Sequence, residues 1–207
     1  MDKKLHITKH SGKMTGIDSI STSCLINSYC VARMEQEGTV CQKCYAKNYL
    51  IYRPSLREKT AVNSELLTFQ VLKDSDLPIL NNLVFRLESF GDLYNDIQLI
   101  NYINLCNKNP HTMFALWTKN IHICSQVFDD MKVEKPENLI IIYSSPLLNK
   151  QDVDFEYVTY VDHVFTVYQK KFAKDNDIQI NCGAKKCIEC LKCYSKETEF
   201  YINEILK

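Results

Sequence analysis

The sequence lacks an excess of either charge and lacks any long hydrophobic run. Lys plus Arg and Asp plus Glu number 25 each, so the formal net charge is zero. No global basic field draws the chain toward phosphate backbones, and binding to nucleic acid is therefore not supported. No stretch approaches the ~20 apolar residues that span a bilayer, and the first residues lack the apolar core of a secretory signal. We expect a cytoplasmic protein with no membrane partner.

Glycine is also scarce, since the chain has only 5, whereas cysteine is abundant at 10. Cytoplasmic thiols are kept reduced by glutathione and thioredoxin. Closely spaced cysteines in that compartment ligate metal more often than they form disulfides, which are the minority interpretation.

The length of 207 residues predicts a single domain that spans residues 1–207. Within it we separate an N-terminal cysteine segment (1–46), a βα core (47–175) and a C-terminal cysteine tail (176–207). Short apolar runs at 82–89, 111–118, 138–146 and 163–169 predict strands. Helical patterns at 45–73, with a possible break at Pro54, and at 95–109 and 119–131 lie before and between them. This alternation predicts an α/β fold: a partial or small (βα) barrel-like parallel sheet with cysteine-rich N- and C-terminal segments that bind metal clusters and cover one end of the strands.

Two cysteine groups stand out. The N-terminal quartet is Cys24, Cys30, Cys41 and Cys44; the C-terminal quartet, Cys182, Cys187, Cys190 and Cys193, has the spacing C-x4-C-x2-C-x2-C. Overlapping C-x2-C steps place thiolates around one cluster, and this run favours iron–sulfur over zinc, which remains the alternative. The N-terminal quartet is looser, and Cys24 and Cys30 could instead fill a core. Cys106 and Cys124 are expected in the core.

Polar residues follow three of the predicted strands, where α/β folds bind ligands. Arg86, Glu88 and Asp92 surround the first strand end, and Gly91 allows a close backbone approach. Period-2 alternation predicts that Arg86 and Glu88 share one face. Thr118 and Lys119 end the next strand, and Ser144 ends the third. Each has a plain alternative as a helix cap or a solvated loop residue.

The order of these motifs, from "CYA" at 44–46 through "FRLESFGDLYN" and "FALWTKN" to the cysteine tail, resembles the phage gene product 88 domain family. The family is distantly similar to radical SAM enzymes, in which three cysteines after the first strand hold a [4Fe–4S] cluster that binds S-adenosylmethionine. Here the C-x3-C-x2-C motif of those enzymes is absent as such, because seven extra residues separate Cys30 from Cys41.

The resemblance implies an iron–sulfur protein, specifically a radical SAM-like redox enzyme of unknown substrate with one or two [4Fe–4S] clusters. Cys30, Cys41 and Cys44 would hold the catalytic cluster and keep one iron open to a small molecule, whereas Cys24 as a fourth ligand would close it. Arg86, Glu88, Asp92 and Lys119 would line a pocket for S-adenosylmethionine or substrate. A small molecule and a reductant such as ferredoxin or flavodoxin are the expected partners. The competing hypothesis is a non-catalytic phage or host binding protein stapled by zinc or iron–sulfur. We expect the quartets to lie within electron-transfer distance or to share Cys24.

Overall fold

A computed structural model describes residues 4–151 and 159–206 of the chain. Its strands are β1 (Thr8–Lys9), β2 (Asp18–Ile20), β3 (Val84–Leu87), β4 (Met113–Thr118), β5 (Leu139–Ser144), β6 (His163–Tyr168) and β7 (Tyr201–Ile205). Its α-helices are α1 (Ser28–Glu35), α2 (Tyr45–Tyr52), α3 (Pro54–Phe69), α4 (Asp96–Lys108), α5 (His122–Ser125), α6 (Lys170–Asp175) and α7 (Cys187–Cys190). A π-helical turn, Gln126–Asp130, continues α5. None of the helices in these residues is long and apolar enough to cross a bilayer.

The seven strands form one sheet in the order β1-β2-β3-β4-β5-β6-β7. β1 pairs antiparallel with β2, and every later pair is parallel. Each new parallel strand is added on the same side of the last, which is the sequential order of a (βα) barrel. The predicted α/β class with a mostly parallel sheet is confirmed. Among the described strands no pairing joins β7 back to β1 or β2, so this sheet is open.

The local elements follow from the sequence where the apolar pattern is strong. The four predicted strands correspond to β3, β4, β5 and β6. The predicted helix at 45–73 divides into α2 and α3, because Pro54 occupies the first position of α3, where its missing N–H has no intrahelical role. Asn95 caps α4 by accepting a hydrogen bond from the Gln98 amide.

Each face of the sheet carries its own core. On one face, α3, α4 and α5 pack against buried side chains that include Phe85, Phe114 and Ile141. Cys106 and Cys124 are fully buried there, as predicted.

The opposite face is covered by the C-terminal tail. Cys182, Cys187 and Cys193 pack there against a core that includes Ile140 and Ile142. The expectation that both cysteine segments cover one end of the strands is therefore wrong for the C-terminal one. An open sheet has two apolar faces, and α3, α4 and α5 cover only one of them. The tail covers the other on its way to β7.

Candidate functional site

The N-terminal quartet gathers at the carboxyl ends of the parallel strands. Cys24 follows β2, Cys30 lies in α1, Cys41 lies in the short 3₁₀ helix Val40–Lys43, and Cys44 immediately precedes α2. Asn27 begins α1 by accepting hydrogen bonds from the amides of Tyr29 and Cys30. Because these four thiols come from four different local elements, only the tertiary fold brings them together.

Two thiols of this quartet interact directly. The Cys24 thiol hydrogen-bonds to Cys44, and this bond, together with the Lys47 and Ala46 amides at the start of α2, lowers the pKa of Cys44 to about 6. The same hydrogen bond and burial raise the pKa of Cys24. Burial raises the pKa of Cys30 and of Cys41. The thiol that ionises most readily is therefore Cys44, and Cys24 belongs to this quartet and is not shared with the C-terminal one.

Lys119 and Asp92 lie beside these thiols. Burial alone would lower the pKa of Lys119, but the charges of Cys41, Asp92 and Cys30 outweigh it and raise that pKa. Asp92 accepts hydrogen bonds from the Thr118 hydroxyl at 2.6 Å and from the Lys119 amide at 3.1 Å. Asp92 thus fixes the end of β4, and the Lys119 ammonium supplies a cation where thiolates would carry negative charge.

Glu88 lies on the helix-covered side of the sheet, away from Arg86. Its carboxylate accepts hydrogen bonds from the Thr22 hydroxyl at 3.0 Å, the Gln98 amide nitrogen at 2.6 Å and the Tyr102 hydroxyl at 2.5 Å. Burial raises the pKa of Glu88 to about 8. The prediction that Arg86 and Glu88 share one face is wrong, because Glu88 has a φ of 63° and breaks the alternation of β3. Its carboxyl ties the loop before Cys24 to α4.

Gly91 permits the close approach predicted for it, and the groups that approach are parts of the protein. A Cβ built at Gly91 would lie 2.3 Å from the Thr22 hydroxyl oxygen, 2.6 Å from Glu88 Oε2 and 2.8 Å from the Thr22 carbonyl oxygen. The loop that leads into Cys24 therefore packs directly against the backbone at Gly91.

The C-terminal quartet lines a cavity on the opposite face. The cavity has a volume of about 40 Å³, and its wall also contains Lys13, Arg86 and Trp117. Lys13 Nζ lies 3.2 Å from Cys182 Sγ and 2.7 Å from a Glu204 carboxylate oxygen. The Arg86 guanidinium lies 4.3 Å from the centre of the Trp117 ring. Lys192 also lines the cavity, so three cationic side chains line it together with the four thiols.

Burial dominates the acidity of this second group. It raises the pKa of Cys193 to about 12, although the charge of Arg86 opposes it. It raises the pKa of Cys182 and Cys187 as well, against the charge of Lys13.

The residues predicted to line one pocket are thus divided between two places. Arg86 lines the cavity that the C-terminal quartet also lines. Glu88, Gly91, Asp92, Thr118 and Lys119 belong to the strand ends beside the N-terminal quartet. Ser144 ends β5 and is buried, in register with Phe165 of β6.

Sequence reasoning missed Lys13, Thr22, Gln98, Tyr102 and Trp117. Only Trp117 stands in one of the quoted motifs, "FALWTKN", where it was taken as part of the strand. Within residues 4–151 and 159–206, no group of three or more His, Cys, Asp or Glu side chains has the arrangement that holds a metal ion.

Comparison with known proteins gives one match. A family model described as gene product 88 matches residues 9–199, which is most of the chain, and confirms the resemblance stated from the motifs. No curated protein and no solved structure matches the chain.

Proposed function

We propose that this chain, which belongs to the gene product 88 family, is an iron–sulfur protein that acts as a radical SAM-like redox enzyme. The description of the family names no activity, so the proposal rests on the site. The observation that carries the proposal is the convergence of the N-terminal quartet at the carboxyl ends of the parallel strands. Active sites of parallel α/β folds lie at that end of the sheet.

The chemistry of the donor set suits such a cluster, although the four thiols as placed do not have a metal-holding arrangement. Thiolate sulfur is the ligand that iron–sulfur clusters use, and Cys44 ionises readily even without metal. We propose that Cys30, Cys41 and Cys44 hold the cluster, which would supply one-electron chemistry and, at an iron without a thiolate, a place for S-adenosylmethionine. Cys24 lies close enough to Cys44 to act as a fourth ligand and close that place.

The surrounding residues have separable tasks in this proposal. Lys119 offsets the negative charge of bound thiolates. Asp92 holds the Lys119 backbone, and Glu88 anchors the loop that carries Cys24 through its hydrogen bond to Thr22. A small-molecule substrate would enter beside Lys119, and the electron would come from a reductant such as ferredoxin or flavodoxin.

The C-terminal quartet is proposed as a closed four-thiolate cluster site for electron transfer or structural support. Lys13 and Arg86 offset the negative charge that four thiolates bring. Because these cysteines also pack in the core of that face, the second candidate function, a non-catalytic metal-stapled binding protein, draws its support here. In that case the eight cysteines would hold zinc or clusters in place of core, and neither quartet would be catalytic.

Elemental analysis of anaerobically purified protein tests the proposal. We expect iron and acid-labile sulfide, together with the broad visible absorption of iron–sulfur clusters, and cleavage of S-adenosylmethionine to 5′-deoxyadenosine under strong reductant. A Cys106→Ala protein is the matched control, since Cys106 is a buried core thiol that belongs to neither quartet. Stoichiometric zinc without iron would refute the redox proposal and support the stapled binding protein. Iron without binding or cleavage of S-adenosylmethionine would refute only the SAM-dependent part.

A further inference from the structure

A row of exposed tyrosines runs along α2. Tyr45, Tyr49 and Tyr52 are spaced i, i+4 and i+7, which places them on one face of the helix. Their exposures are 57%, 44% and 81%. Together they cover about 10 Å of the helix axis. Large aromatic side chains are seldom left this exposed in a row unless they meet a partner.

This row leads into a basic groove. The groove has a volume of about 520 Å³ and is open to solvent, and its lining includes Lys9, Arg53 and Lys59 but no Asp or Glu. Arg53 joins the two features, because its guanidinium also lies 4.5 Å from the centre of the Tyr49 ring. Residues 43–59 contain five Lys or Arg and a single carboxylate, Glu58. The zero net charge of the whole chain therefore conceals a local positive surface.

We propose that this surface, defined by Tyr45, Tyr49, Tyr52, Lys9, Arg53 and Lys59, binds single-stranded nucleic acid. Cations beside the groove complement backbone phosphates, and exposed aromatic faces stack with unpaired bases. Bases within a duplex are stacked on each other and offer no free face to Tyr52. The combination of both features therefore favours a single strand over a duplex and over a polyanion that lacks bases.

The row also points toward the candidate site. Tyr45 follows Cys44 directly in sequence, and its hydroxyl donates a hydrogen bond to the Ser89 carbonyl at 2.6 Å, beside Gly91. A strand bound along α2 would thus reach the carboxyl ends of the strands. The surface itself includes no cysteine, so its binding does not depend on the proposed cluster.

The test is fluorescence anisotropy with a labelled oligodeoxythymidine of about 12 nucleotides, a length within the range that single-strand binding sites cover. The full-length protein should bind it at low salt, and affinity should fall as salt rises. Removing both tyrosine rings, as Tyr49→Ala with Tyr52→Ala, should weaken binding about tenfold or more. Tyr52→Phe should preserve it, because the stacking face remains. Replacing Lys9, Arg53 and Lys59 by Gln should reduce the slope of log affinity against log salt by about 2, at about 0.7 per phosphate contact.

Tyr201→Ala and Lys170→Gln are the matched controls, since Tyr201 lies on β7 and Lys170 on α6, outside this surface. Circular dichroism and the melting temperature of each variant establish that it is folded. Absence of oligonucleotide binding by the wild-type protein would overturn the proposal. Equal affinity for a duplex or for heparin, or equal losses in the control variants, would also overturn it. A protein partner captured by the same tyrosines, without oligonucleotide binding, would assign the surface to protein recognition instead.

Discussion

Replacing Gly91 by alanine should destabilise the protein substantially. The added Cβ would meet three oxygen atoms at 2.3 to 2.8 Å, and one of them is the backbone carbonyl of Thr22. A second, Glu88 Oε2, belongs to a carboxylate held by Gln98 and Tyr102, so it cannot move without breaking those hydrogen bonds. Overpacking of this kind costs about 1–3 kcal/mol, and leaving a buried hydrogen-bonding group without its partner costs about 1–3 kcal/mol.

Together these terms predict a loss of about 3 kcal/mol in the free energy of unfolding, or roughly 6–12 °C in melting temperature for a chain of this size. Thermal and urea unfolding measure it. Gly183→Ala is the matched control, because a Cβ there meets no heavy atom within 4 Å, and its change should stay within about 0.5 kcal/mol. If Gly91→Ala has the same melting temperature as the wild-type protein and Gly183→Ala, the tight packing of Thr22 and Glu88 against the Gly91 loop does not stabilise the protein.

Three further outcomes follow from the buried charges and thiols. Because burial raises the pKa of Glu88 to about 8, the folded state binds the proton of this carboxyl more tightly than the unfolded state does. The free energy of unfolding should therefore fall as pH rises from about 5 through 8. Urea titrations at several pH values measure this dependence, and Glu88→Gln should flatten it. Cys190→Ala should lose iron and melt at a lower temperature. Cys106→Ala should keep its iron and lose only core packing, because Cys106 is a buried core residue. A full iron content in Cys190→Ala would refute ligation by the C-terminal quartet. Lys119→Met should make the proposed N-terminal cluster harder to reduce, and Lys119→Arg should restore the potential in a redox titration followed by electron paramagnetic resonance; equal potentials in all three proteins would contradict the charge argument.

The central strands and long helices were predictable because their burial leaves a continuous signal. β5 is buried at its first four positions and reads as an unbroken apolar run, as buried parallel strands do. By contrast, β2 has three residues and begins with Asp18, and β7 contains Asn203 and Glu204. Both were missed, because hydrogen bonding to a neighbouring strand, which no local pattern records, stabilises such short polar segments.

The candidate site was predictable in its residue types but not in its arrangement. Cysteine spacing identified both quartets, but spacing carries no information on which face of the sheet a segment crosses. Alternation placed Glu88 with Arg86, and a single positive φ at Glu88 reversed that assignment. The role of Gln98 and Tyr102 could not be predicted from the sequence, because both side chains donate hydrogen bonds to Glu88, which lies ten or more positions away in the chain.

The two quartets also differ in what the fold requires of them. The C-terminal cysteines cover an apolar sheet face together with Ile188 and Tyr194, so their side chains contribute to the core. A metal bound there would add its binding free energy to folding, and losing it would expose the face beneath. The N-terminal quartet stands at the strand ends, where Glu88 accepts a hydrogen bond from Thr22 and Asp92 accepts one from Thr118, and neither bond involves a thiol. Cys24, Cys30 and Cys44 pack in a small core cluster with Ala46, Leu50 and Phe90, and Cys41 lies outside that cluster. A change at Cys41 is therefore the one expected to leave the packing in place, which is the property that a site for chemistry needs and a structural staple does not.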